Sequence, residues 1–93
     1  MQQTQVDGYT LDQNYPNPFN PTTTITYSIA KSDRVKIIVS NILGTRVAEL
    51  LNEVKNAGTY TIQFDAGKLS SGVYFYKLEA GKVSITKEMI VLK

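Results

Sequence analysis

From Thr22 onward the chain alternates apolar and polar residues in short runs, and turn residues break those runs about every ten positions. That rhythm admits few folds. Side chains on a strand point to opposite faces in turn, so each run reads as a half-buried strand, and regular breaks call for hairpins and sheet crossings. Residues Thr22 to Ala30 place Ile25, Tyr27 and Ile29 on one face and Thr24, Thr26 and Ser28 on the other. Arg34 to Ser40 follows with Val35, Ile37 and Val39 inward, Lys36 outward and Ile38 as an extra apolar residue on the outer face. Tyr60, Ile62 and Phe64 alternate with Thr61 and Gln63 before the break at Asp65-Ala-Gly67. Gly72 to Leu78 is apolar on both faces, Tyr74, Tyr76 and Leu78 against Val73 and Phe75, which predicts a central strand. A hairpin at Ala80-Gly81 returns the chain as a last strand with Val83, Ile85, Met89 and Val91 in phase. Asn41-Ile-Leu-Gly44 supplies another turn, with Gly44 at the position of positive φ. These elements predict an all-β sandwich or barrel.

One segment is ambiguous. Val47, Leu50, Leu51 and Val54 recur at helical spacing, with Thr45 as an N-cap candidate and Gly58 beyond the end. Val47, Glu49 and Leu51 also alternate, and a lone helix between hairpin-paired strands would have to leave the sheet and return. The topology favours a strand here.

All three prolines fall within Asn14-Tyr-Pro-Asn-Pro-Phe-Asn-Pro-Thr22. Proline biases Tyr15, Asn17 and Asn20 towards extended backbone and removes three ladder donors, so Pro16, Pro18 and Pro21 exclude a central strand. The segment predicts a stiff crossover between a short first strand ending near Asn14 and the Thr22 strand. Either Phe19 or Tyr15 is expected over one end of the core, with the asparagine side chains satisfying turn backbone.

The chemistry available is narrow. Ninety-three residues with 42% hydrophobic content suit one small core, and a net charge of +2 with 19% charged residues asks for no nucleic-acid or anionic-membrane partner. Histidine and cysteine are absent, which removes disulfides, the imidazole and thiolate metal ligands, and the Ser-His-Asp and Cys-His nucleophile arrangements. The carboxylates Asp7, Asp12, Asp33, Glu49, Glu53, Asp65, Glu79 and Glu88 are scattered over termini, turns and outward strand positions without ligand spacing. They read as solvated charge. Gly44, Gly58, Gly67, Gly72 and Gly81 mark turns rather than a phosphate cradle. No catalytic residue, metal or cofactor is expected. Tyr74, Tyr76 and Phe19 are the candidates for a sugar-binding platform, although tyrosines alternating in a central strand suit a core better. No apolar run approaches the roughly 20 residues that cross a bilayer, and the Met1-Gln-Gln-Thr-Gln5 start lacks signal-peptide regions, so residues 1–10 are expected to be a linker remnant.

Five blocks in order then resemble a known family: Asn14 to Ile25, Ile42-Leu-Gly44, Ala57-Gly-Thr-Tyr60, Ser71 to Leu78, and Lys87-Glu-Met-Ile-Val-Leu-Lys93. Together they are similar to the type A C-terminal sorting domain of the type IX (Por) secretion system of Bacteroidetes, over residues 11–93. The resemblance implies an immunoglobulin-like antiparallel β-sandwich of about seven strands, and a strand at Val47 to Val54. It implies an export signal rather than an enzyme. A folded tail of this kind directs an N-terminal cargo through an outer-membrane translocon to the cell surface or medium, and a sortase-like peptidase then removes the tail. The resemblance assigns partner recognition to Gly72, Val73 and Tyr74 and to Lys87, Met89, Val91 and Lys93 of the last strand. It treats Tyr15 to Pro21 as a structural fingerprint. Strand addition to the last strand would be the natural docking mode if that strand forms a sheet edge, and edge strands also allow a dimer. The alternatives are a structural immunoglobulin-like module and a carbohydrate-binding accessory module of a secreted enzyme.

Overall fold

A computed structural model describes residues 8–93, and the expected linker lies outside the described residues except for its last three positions. Of those three, Tyr9 is buried and Thr10 pairs with Ser28, so packing reaches back at least to Tyr9. Seven strands follow: β1 Thr10–Leu11, β2 Thr22–Ile29, β3 Asp33–Asn41, β4 Arg46–Lys55, β5 Gly58–Asp65, β6 Gly72–Ala80 and β7 Val83–Val91. No helix occurs among the described residues.

The strands form two antiparallel sheets, β1-β2-β5 and β4-β3-β6-β7, packed as an immunoglobulin-like sandwich. The predicted inward rows meet between them: Ile25, Tyr27 and Ile29 from β2 against Val35, Ile37 and Val39, then Tyr76, Leu78, Met89 and Val91. As its two apolar faces demanded, β6 is interior to its sheet. Ile38 is buried on the outer face, where its strand neighbours bring Phe75 close.

β4 resolves the ambiguous segment as a strand and explains its helical look. Ile37 pairs with Leu51 but Ile38 with Glu49, and Val39 pairs with Ala48 but Ser40 with Arg46. Leu50 and Val47 are therefore extra residues, each inserted by a β-bulge that interrupts the ladder and shifts the side-chain phase. Two bulges three residues apart turn a period of two into apolar pairs, Val47 with Ala48 and Leu50 with Leu51. All four are half-buried against the core.

The sheets are unequal. β1 lies beside β7 on one side of the sandwich, so the three-stranded sheet runs out after β5 while the four-stranded one continues to β4. β4 overhangs. Its inner face is half-buried where its neighbour β3 buries Val35, Ile37 and Val39 at 0% exposure. At the end where β4 passes into β5, the gap is covered by Tyr60, which donates to the Asn56 carbonyl at 2.7 Å and lies under the Lys55 ammonium.

Candidate functional site

The strand directions give the molecule two poles along its long axis, which measures 37 Å. The chain enters through Tyr9 and Thr10 at the pole shared by Ile29–Asp33, the β4–β5 connection and the Ala80-Gly81 turn. The register places the β3–β4 turn, the Asp65–Gly72 loop and the end of β7 at the opposite pole. Most of the residues assigned to recognition gather there. Gly72 pairs with Val91, Val73 with Ile90, and Tyr74 with both Met89 and Asn41. The Lys93 amide donates to Ser71 Oγ at 2.9 Å and its ammonium to the Gly67 carbonyl at 2.6 Å. Lys87 sits farther along β7, opposite Tyr76.

Their exposures divide them. Tyr74, Met89 and Val91 are buried, Gly72, Val73 and Lys87 are half-buried, and Lys93 is exposed. The Tyr74 hydroxyl donates to the Ser70 carbonyl at 2.8 Å, which fastens the loop before β6. Sequence reasoning missed the apolar tip beside them. Ile42 and Leu43, 70% and 85% exposed, crown the β3–β4 turn and face Ser70–Val73 across a cleft of about 420 Å³. The Asn41 carboxamide oxygen accepts from both Leu43 and Thr45 amides, so the tip is held rather than loose. The signal was present in two adjacent apolar residues within a turn, where polar residues are usual.

β7 lies at a sheet edge, yet its outer edge is largely covered towards this pole. The crossover runs alongside: Phe19 donates to the Ile90 carbonyl and accepts from the Leu92 amide, both at 3.0 Å. Asn17 Oδ1 accepts from the Ile90 amide at 2.9 Å, and the Gln13 side chain donates to the Glu88 carbonyl at 2.7 Å. The expected crossover is therefore also a clamp. Of the two candidates for capping the core, Phe19 is buried against Phe64, whereas Tyr15 is 80% exposed. Asn14, at 1% exposure, donates from its side chain to the Pro16 carbonyl and to Thr23 Oγ1. Asn14 thus satisfies local backbone as expected, whereas Asn17 bonds backbone across the fold.

Tyr76 fixes the start of the crossover. Its hydroxyl accepts from the Asn14 amide at 2.8 Å and donates to the Asp12 carbonyl at 2.7 Å, with the ring fully buried. Burial pushes the phenol up to about 12, offset in part by the Asn14 amide and reinforced by the Asp12 carboxylate. Tyr27 is also pushed up, by burial first and then by Tyr60 and Glu53. With Tyr74 at 7%, Tyr76 at 0% and Phe19 at 3% exposure, the aromatic platform for a sugar does not form. These rings are spent on the core, because each sits on the inward side of its strand or crossover.

No group of acidic residues with metal-ligand geometry and no buried polar side-chain atom without a partner occurs among the described residues. The molecule is a small antiparallel sandwich with loops, strand ends and an exposed apolar tip gathered at one pole. The chain belongs to the family of secretion-system C-terminal sorting domains, whose family model matches residues 13–92. That family is the sorting signal of type IX secretion and is not an enzyme family. A search of curated proteins found no match. A type IX sorting signal implies an N-terminal cargo and export across the outer membrane to the surface or medium.

Proposed function

We propose that this domain is read, folded, by the outer-membrane translocon of the type IX system through the pole formed by Gly72, Val73, the Ile42-Leu43 tip and Lys93. The family match over residues 13–92 carries this reading. The geometry supports it, since cargo joined before Gly8 would hang from the opposite pole and leave this one accessible. Tyr74, Met89 and Val91 serve from within, by holding β6 and β7 in register, and Lys87 and Lys93 supply positive charge along the last strand. The sortase-like peptidase acts in the linker ahead of the domain, within or before residues 1–10.

The test fuses the whole chain to the end of a periplasmic reporter in a host with the type IX machinery. The reporter is expected in the medium or on the surface. A fusion that folds, as judged by protease resistance, yet stays periplasmic defeats the proposal. The competing reading, a purely structural module, draws on the burial of Met89 and Val91. It predicts that Lys93→Ala combined with Leu43→Ser leaves export unchanged, whereas recognition at this pole predicts that export falls while stability does not.

A further inference from the structure

The sandwich has four strand edges, and they are protected unequally. The crossover clamps β7 along Glu88–Leu92. β1 has only two residues. β4 carries two bulges and the charges Arg46, Glu49, Glu53 and Lys55, all of which discourage pairing. β5 has none of these protections except the single charge of Asp65 at its end. It pairs with β2 over eight residues without a bulge, and Gly58 to Phe64 contains no charge and no proline.

The register shows which groups it offers. The Asp12 amide bonds the Thr26 carbonyl, and Tyr15 and Thr24 exchange amide-to-carbonyl bonds, so even-numbered residues of β2 turn their backbone towards β1. Thr23, Ile25 and Tyr27 accordingly bond Phe64, Ile62 and Tyr60 on β5, and the bond from the Ala66 amide to the Pro21 carbonyl keeps that phase. The amides and carbonyls of Thr59, Thr61 and Gln63 therefore point away from the sheet, without a backbone partner among the described residues.

Beside that edge the overhanging β4 leaves room. A cleft of about 390 Å³ opens between the sheets, lined by Val47 and Ala48 of β4, Phe64 of β5 and Leu69, with Asp65, Gly67 and Lys68 completing its wall. A strand laid against β5 would fill the missing fourth position of the smaller sheet, with its inward side chains entering this cleft and covering the half-buried face of β4. We propose that β5 and this cleft form a strand-addition site for an extended segment of another protein, apolar at alternate positions and uncharged over its central residues. Evenly spaced outward donors and acceptors select an extended backbone. The overhang selects a single strand over a second whole copy of this chain. In a symmetric β5 to β5 pairing, each β4 would occupy the place above β5 that the other copy's β3 already holds. The site is independent of the sorting reading and would stand without it.

The test uses the full chain and a capped probe peptide, Lys-(Thr-Val)3-Lys, followed by amide hydrogen exchange. The peptide is expected to slow exchange at Thr59, Thr61 and Gln63 by at least tenfold and to leave β4 amides unchanged. Thr61→Pro deletes an outward donor that β2 does not use, so it should weaken the peptide by at least tenfold with an unchanged unfolding midpoint. Should that variant unfold, Gln63→Pro removes another such donor, and Val47→Lys charges the cleft while leaving β5 intact. Absence of protection at millimolar peptide, or protection on β4 or β7 instead, overturns the proposal. So does concentration-dependent dimerisation that Thr61→Pro abolishes, since a second copy would then be the occupant.

Discussion

Replacing Tyr76 by phenylalanine keeps the ring and removes one oxygen, which makes it a clean probe of the clamp. The lost hydroxyl strands two backbone groups. The Asn14 amide is buried with its residue at 1% exposure, whereas Asp12 is exposed and its carbonyl can turn to water. A buried donor left unpaired costs about 1–3 kcal/mol, and the second, better-solvated group adds a fraction of that, so the substitution should destabilise the fold by about 2–3 kcal/mol. For a domain of this size that lowers Tm by roughly 10–20 °C, measurable by calorimetry or by urea unfolding followed by circular dichroism. The pH dependence supplies an independent check. The phenol ionises near 10 in the unfolded chain and at about 12 in the folded one, so the folded state holds the proton longer. Its contribution is complete below pH 10 and disappears as pH rises to 12, a loss on the order of 2–3 kcal/mol. Tyr27, shifted in the same direction, declines in both proteins, so the difference between them isolates Tyr76. A penalty under about 0.5 kcal/mol, or equal alkaline slopes for the two proteins, would refute the assignment of these bonds.

Phe19→Ala should cost about 3 kcal/mol by emptying the space against Phe64. It should also speed amide exchange at Ile90 and Leu92 ahead of global unfolding, because the clamp bonds depend on the placement of Phe19. Gly44 and Gly81 both hold positive φ, at 84° and 60°, but a methyl at Gly44 meets open space whereas one at Gly81 meets the Asp33 carboxylate. Both substitutions should therefore cost about 1–2 kcal/mol for the left-handed backbone, with Gly81→Ala also displacing the Asp33 carboxylate, which thermal melts can check.

The elements that the sequence made legible are those set by local rules. β2, β3, β5, β6 and β7 each show alternation because one of their faces meets the core, and Gly44 and Gly81 announce their turns. β4 was obscured because bulges at Val47 and Leu50 rewrite the phase that the eye relies on, and only the pairing with β3 reveals where they fall. The covering of β7 was illegible for another reason: Asn17 reaches Ile90 across 73 positions, and no local pattern encodes such a contact. The same holds for the pole. Gly72, Val73 and Lys93 were named from a family likeness, but that Ile42 and Leu43 stand beside them follows from strand register alone. The open edge of β5 shows in its sequence only as seven residues without charge, a mark that a covered strand would share.

The clamp also sets an order of events. Within the domain, Gln13, Asn17 and Phe19 come well before their partners Glu88, Ile90 and Leu92 in the order of synthesis. Hairpins such as β6–β7 close quickly over short loops, but this closure must gather almost the whole domain into one ring and cannot begin until the final strand exists. The early crossover waits, its buried Asn14 and Phe19 unsheltered, until β7 arrives. Docking of the last strand is thus what seals the crossover onto the sandwich.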